Sequence, residues 1–127
     1  MSDQYRAAAT RHYRDAELLE HHQRVENADY HYGFVAECGL KAALEQMGKL
    51  KPKHRKWHID RLWGAMGRDS FRKGLPGLHK VLMKRDCFAK WTVDQRYRED
   101  GSVTPEDMLQ HRECAIRVLK AVGISRG

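Results

Sequence analysis

The fold is decided by residues 27–47, which read NADYHYGFVAECGLKAALEQM. Apolar side chains recur there at steps of three and four residues, as they do on one face of an α-helix. These positions are Tyr30, Phe34, Val35, Cys38, Ala42 and Leu44. Asn27 is the expected N-cap, because its side-chain oxygen can accept a hydrogen bond from a free amide of the first turn. The stretch therefore predicts a long helix that ends before Gly48 and Pro52.

Two glycines lie inside this predicted helix. They share one stripe of small residues, which comprises Gly33, Ala36, Gly39 and Ala43. A glycine in a helix costs about 1 kcal/mol relative to alanine. Two glycines on one side therefore indicate that a neighbouring backbone approaches the helix closely.

The flanking sequence also has helical periodicity. Residues 3–25 form an amphipathic pattern, for which Ser2 is the expected N-cap. Residues 59–66 predict a short helix, and another is expected to start near Pro76 and to bury side chains as far as Phe88.

The clearest helix start is Thr104-Pro105-Glu106-Asp107, which combines an N-cap hydroxyl, a proline at the first position and two acids at the positive end of the helix dipole. This last helix is expected to end at Gly123. Residues 90–103 show no period and are predicted to form a loop. The chain therefore predicts one domain, residues 1–127, folded as an all-α up-and-down bundle of four to five helices.

Length and composition exclude several classes of protein. The chain has 127 residues and a formal charge of +7, from 24 Lys and Arg against 17 Asp and Glu. No run approaches the roughly 18 apolar residues of a membrane span, and residues 1–11 lack the apolar region of a signal peptide. We expect a cytoplasmic protein without membrane attachment. The positive charge favours an anionic partner such as a nucleic acid.

The cysteines and histidines carry no recognisable metal motif. The chain has an odd number of cysteines, Cys38, Cys87 and Cys114, and it has no Cys-x-x-Cys motif. We therefore expect reduced thiols rather than a disulfide framework or a thiolate zinc site. The eight histidines include no His-Glu-x-x-His, and no glycine-rich phosphate loop is present. We therefore expect neither a metal nor a cofactor.

A dense run of positive charge follows the central helix. It comprises Lys51, Lys53, His54, Arg55 and Lys56, with Trp57 next to it and Arg61 one turn later. Such cations bind nucleic acids by releasing counterions, and an exposed tryptophan can stack on an unpaired base. The alternative is a solvated loop in which Trp57 enters the core.

Two charges stand in the middle of the otherwise apolar central helix. Glu37 and Lys41 are four residues apart, which suits an intrahelical ion pair. The alternative is a polar seam within the bundle or at a dimer interface, because buried charges require pairing.

The predicted loop before the last helix contains Trp91 and two arginines that flank a tyrosine. Arg96 and Arg98 are able to clamp a phosphate while Tyr97 stacks on a base. The alternative is a surface loop that Trp91 anchors to the core.

The order of these residues resembles a prokaryotic HEPN domain. The resemblance rests on residues 28–41, on His58-Ile59-Asp60-Arg61-Leu62-Trp63 and on Trp91 followed by Arg96-Tyr97. It implies a helical bundle that forms homodimers. It also implies either an RNA-cleaving toxin or a non-catalytic module that binds RNA or a nucleotide, with a small antitoxin or nucleotidyltransferase-like protein as its partner.

Catalytic members of that family carry an arginine followed, after four to six residues, by a histidine. Here Arg96 matches the arginine, but Gly101 stands where the histidine is expected. A divergent site would form if Arg96 or Arg98 folded back beside His111, which would act as general acid or base.

The leading hypothesis is therefore an RNA- or nucleotide-binding domain, the toxin-like member of a toxin–antitoxin or defence pair. The alternatives are a metal-independent ribonuclease that uses Arg96, Arg98 and His111, and a protein-interaction adaptor without catalysis.

Overall fold

The computed structural model describes residues 2–66 and 70–127, apart from the side chains of Ser2, Asp3 and Arg96. It contains six α-helices and one 3-10 helix in these ranges, and no strand. The elements are α1 (Ser2–His21), α2 (Val25–Gln46), α3 (Pro52–Arg55), α4 (Ile59–Ala65), α5 (Pro76–Leu82), the 3-10 helix (Val93–Tyr97) and α6 (Pro105–Val122). The predicted all-α bundle is confirmed. The helix beyond the expected five is α3, a single turn that begins at Pro52.

Helix α2 lies at the centre of the bundle. It packs against α1 on one side and α6 on another, and it also contacts α4 and the 3-10 helix. Every residue from Val35 to Leu44 is buried, which explains why its sequence is apolar on more than one face.

The start of α2 differs from the prediction. The helix begins at Val25 with Arg24 as its N-cap, so Asn27 lies within the first turn and does not cap it. Helix α1 ends at His21, and the chain reverses through Gln23, which has a φ of 58°. The Arg24 amide donates to the Leu19 carbonyl at 2.8 Å, and this turn sets the start of α2.

Side chains, rather than a neighbouring backbone, approach the two glycines of α2. A Cβ on Gly33 would overlap the indole of Trp91, and one on Gly39 would lie 2.6 Å from Cγ1 of Val118. The glycines thus leave room for residues of the 91–98 region and of α6 to reach the central helix.

The last helix begins and ends as predicted. The Thr104 hydroxyl accepts a hydrogen bond from the Asp107 amide at 3.1 Å, and Gly123 closes α6 with a φ of 77°. Helix α5, in contrast, ends at Leu82, and Phe88 is buried in the turns beyond it.

Two of the three cysteines form a disulfide, so the expectation of reduced thiols is wrong for Cys87 and Cys114. The fold brings residue 87, in the turns after α5, against α6 with a Cα–Cα distance of 6.1 Å, which is within the normal disulfide range. Cys38 is free and buried in α2. Helices that combine the length and hydropathy of a bilayer span are absent from the described ranges.

Candidate nucleic-acid-binding surface

The basic run forms an exposed surface on and around α3. We call residues 49–61 the basic segment. Lys51, Lys53, Arg55 and Lys56 are all exposed on it. Since these four residues lie within the six positions 51–56, they concentrate positive charge on a small area of the molecule.

His54 lies on the inner side of this segment. It is buried, and its Nδ1 accepts a hydrogen bond from the Lys51 amide at 3.0 Å. Burial lowers the pKa of His54, and the neighbouring Lys53 and Lys51 lower it further. The imidazole thus stabilises the turn of the basic segment through this hydrogen bond. It adds no charge to the surface of the segment at neutral pH.

Trp57 is half-buried and holds two cations of the segment. The Arg61 guanidinium lies 4.2 Å from the centroid of the indole, and Nζ of Lys53 lies 5.5 Å from it. Both are cation–π contacts. The tryptophan therefore belongs partly to the core, and a base that stacked on its face would compete with Arg61.

The basic segment is attached to the central helix by the Glu37–Lys41 pair. Both side chains are buried, and Nζ of Lys41 lies 3.0 Å from Oε2 of Glu37. Lys41 also donates to the Arg55 carbonyl at 3.0 Å, while Oε1 of Glu37 lies 3.0 Å from Nδ1 of His58. The predicted ion pair forms. It connects α2 to the basic segment at two points, Arg55 and His58.

The Glu37–His58 contact creates an imidazole oriented by a buried carboxylate. His58 precedes α4, and its side chain is 40% exposed. When Nδ1 donates its proton to Glu37, Nε2 keeps a free lone pair that can accept a proton. Sequence reasoning missed this pair, because 21 residues separate the two partners. The available signal was a carboxylate inside an apolar helix, which needs more than one partner when it is buried.

The 91–98 region is anchored as the alternative interpretation predicts. Trp91 is buried, its Nε1 donates to the Asp29 carbonyl at 3.1 Å, and its ring stacks on Tyr30 at 5.8 Å between centroids. Tyr97 and Arg98 are exposed. The side chain of Arg96 lies outside the description.

His111 is enclosed in the core. Its Nδ1 lies 2.5 Å from Oδ1 of Asp29, and its ring stacks on Phe88 at 5.3 Å. Oδ2 of Asp29 accepts a further hydrogen bond from Nε2 of Gln95 at 2.8 Å. The ring is buried and its Nδ1 is paired with Asp29, so these contacts give His111 a structural role. Its acid–base role with Arg96 and Arg98 stays a prediction.

Many hydrolytic sites hold a metal ion with a group of His, Cys, Asp or Glu side chains. Among the described residues, no three His, Cys, Asp or Glu side chains are arranged to hold a metal ion.

Searches of protein-family models, curated proteins and solved structures find no match to this chain. The similarity to HEPN domains therefore stays a prediction based on the quoted residues.

Proposed function

We propose that this protein binds single-stranded RNA through the basic segment. The observation that carries the proposal is the group of four exposed cations, Lys51, Lys53, Arg55 and Lys56, on a segment held in place by contacts from the buried side chains of Lys41 and Glu37. Cations grouped on one segment neutralise phosphates of a bound strand and gain affinity from the release of counterions. The net charge of +7 adds long-range attraction.

The test is the anisotropy of a labelled single-stranded RNA at several salt concentrations. The K53Q/K56Q variant removes two exposed charges of the basic segment. The slope of log K against log salt should become shallower by about 1.4, because each lost phosphate contact contributes about 0.7 on single strands. The matched control is K84Q/K120Q, which removes two exposed lysines elsewhere and should leave the slope unchanged. Equal slopes for both variants would contradict the proposal.

A second candidate function, metal-independent RNA cleavage, is favoured by the Glu37–His58 pair. Nε2 of His58 is suited to accept the proton of a ribose 2′-hydroxyl, and the exposed cations nearby are suited to hold the scissile phosphate. The 2′-oxygen would form a bond to the adjacent phosphorus as the bond from phosphorus to the 5′-oxygen breaks, and the leaving 5′-oxygen would take a proton from water. This arrangement uses residues different from Arg96, Arg98 and His111.

The test for cleavage is a denaturing-gel time course in the presence of a chelator. H58Q should abolish cleavage, and H22Q, which changes an exposed histidine of the turn after α1, should not affect it. Intact RNA with the parent protein would exclude this second function and leave the binding proposal in place. No affinity for RNA at low salt would exclude both and favour the protein-interaction adaptor.

A further inference from the structure

Two histidines face each other across the interface between α1 and α2. Nδ1 of His12 lies 3.0 Å from Nδ1 of His31, and the ring centroids are 5.2 Å apart. Both side chains are half-buried. Neither belongs to the basic segment.

This geometry suits either a hydrogen bond between the rings or a shared metal ion. Two imidazole nitrogens that bind one ion at about 2.0–2.1 Å, with an angle of about 90–110°, lie about 2.8–3.4 Å apart. The observed separation is within that range. An ion bound by both rings would therefore leave the two Nδ1 atoms about as far apart as they are in the structure.

The rings are partly enclosed by neighbouring side chains and partly exposed to solvent. Phe34 packs against His12 at 5.4 Å and against His31 at 6.5 Å between centroids. Asp15, one turn after His12 on α1, is exposed, and its negative charge acts on both imidazoles. Arg11 opposes a cation there, but its side chain is also exposed and free to turn into water.

We propose that His12 and His31 bind one divalent transition-metal ion through their Nδ1 atoms. Imidazole ligands suit Zn²⁺, Ni²⁺ and Cu²⁺. Because the described residues contain no group of three ligands in place, water completes the coordination, and Asp15 interacts with the ion through such a water. The site is thus open and exchangeable, and the bound ion links α1 to α2.

The test is calorimetric titration of the tag-free protein with Zn²⁺. The parent should bind one ion with micromolar affinity, and H12Q/H31Q should bind it at least tenfold more weakly. The matched control is H21Q/H22Q, which also removes two histidines, both exposed, at the end of α1 and in the turn that follows it. This variant should bind Zn²⁺ like the parent. The D15N variant should weaken the binding of Zn²⁺ by a smaller factor than H12Q/H31Q does.

A second measurement does not depend on the folding of the variants. Nitrogen NMR of the parent should show that Zn²⁺ shifts the Nδ1 resonances of His12 and His31 and leaves the other histidines unchanged. The proposal fails if the parent binds no Zn²⁺, if H12Q/H31Q binds it as tightly as the parent, or if other imidazoles respond instead.

Discussion

Gly33 shows how one missing side chain determines the packing of a large one. The indole of Trp91 occupies the space where a Cβ would be, and from there it reaches the Asp29 carbonyl and the ring of Tyr30. Well-packed interiors do not absorb an added methyl group without displacement of neighbours. The identity of residue 33 therefore controls the position of the 91–98 region.

We expect G33A to destabilise the protein by about 1–3 kcal/mol, because the new methyl group would force Trp91 out of its site. The measurement is the free energy of unfolding in urea. G64A is the control, since a Cβ at Gly64 meets no atom within 4 Å and alanine favours the helix. Equal stabilities for G33A and the parent would show that the indole is free to move.

We also expect the His12–His31 pair to make the stability of the protein depend on pH. Burial lowers the pKa of His12 from 6.5 to about 4, with further contributions from the charges of His31 and Arg11, while Asp15 acts in the opposite direction. Burial also lowers the pKa of His31. The two imidazoles are therefore harder to protonate in the folded protein than in the unfolded chain. Between pH 6.5 and about 4, the unfolded chain binds more protons than the folded protein.

In the absence of metal, we therefore expect the contribution of this pair to be complete above pH 6.5 and to be lost as the pH falls from 6.5 toward 4. The measurement is the melting temperature across this range, in a chelator. H12Q should have a flatter profile than the parent, and H22Q should keep the parental one. A parental slope in H12Q would assign the pH dependence to other groups.

At the scale of elements, Asp29 connects three of them. This carboxylate of α2 accepts from Gln95 in the 3-10 helix and contacts His111 of α6, and it is fully buried. Buried carboxylates stabilise a fold only when all their acceptor positions are satisfied. The network explains how residues 93–97 are held despite the lack of an apolar period.

We expect D29N to cost about 1–3 kcal/mol, because the amide group of asparagine would face a donor from either His111 or Gln95. Unfolding in urea measures this loss. D94N, at an exposed position of the same 3-10 helix, should leave the stability of the protein within about 0.5 kcal/mol of the parental value. A similarly small effect of D29N would mean that the network does not join the three elements.

Local signals predicted some elements better than others. The start of α6 follows from Thr104 and Pro105 alone, because capping is decided within one turn. The start of α2 depends on the turn through Gln23, and the Glu37–His58 contact depends on how α4 lies on α2. Such contacts between distant residues leave no periodic trace, so neither the N-cap at Arg24 nor the role of His58 was predictable.

At the scale of the whole molecule, the Cys87–Cys114 disulfide closes a loop with a sequence separation of 27 residues. It ties the turns after α5 to α6, next to the stacked rings of Phe88 and His111. Spacing along the chain does not reveal such a pair, because its two cysteines meet only after the helices have packed.

We expect reduction to lower the free energy of unfolding by about 3–4 kcal/mol, as chain entropy predicts for a loop of this length. Melting with and without reductant measures the loss, and the C87S/C114S variant should melt like the reduced parent.

Alkylation without reductant should label no cysteine of the native protein, since Cys38 is buried and burial raises its pKa to about 12. Two labelled cysteines would show that the disulfide is not formed.

The contact between Lys41 and the Arg55 carbonyl has an evolutionary consequence. A backbone carbonyl is present whatever residue occupies position 55, so this attachment survives any substitution there that keeps the local backbone. The exposed side chain of residue 55 is therefore able to change while its attachment to the bundle stays the same. At this position the ligand preference of the surface can change without loss of the contact that fixes the backbone beneath it.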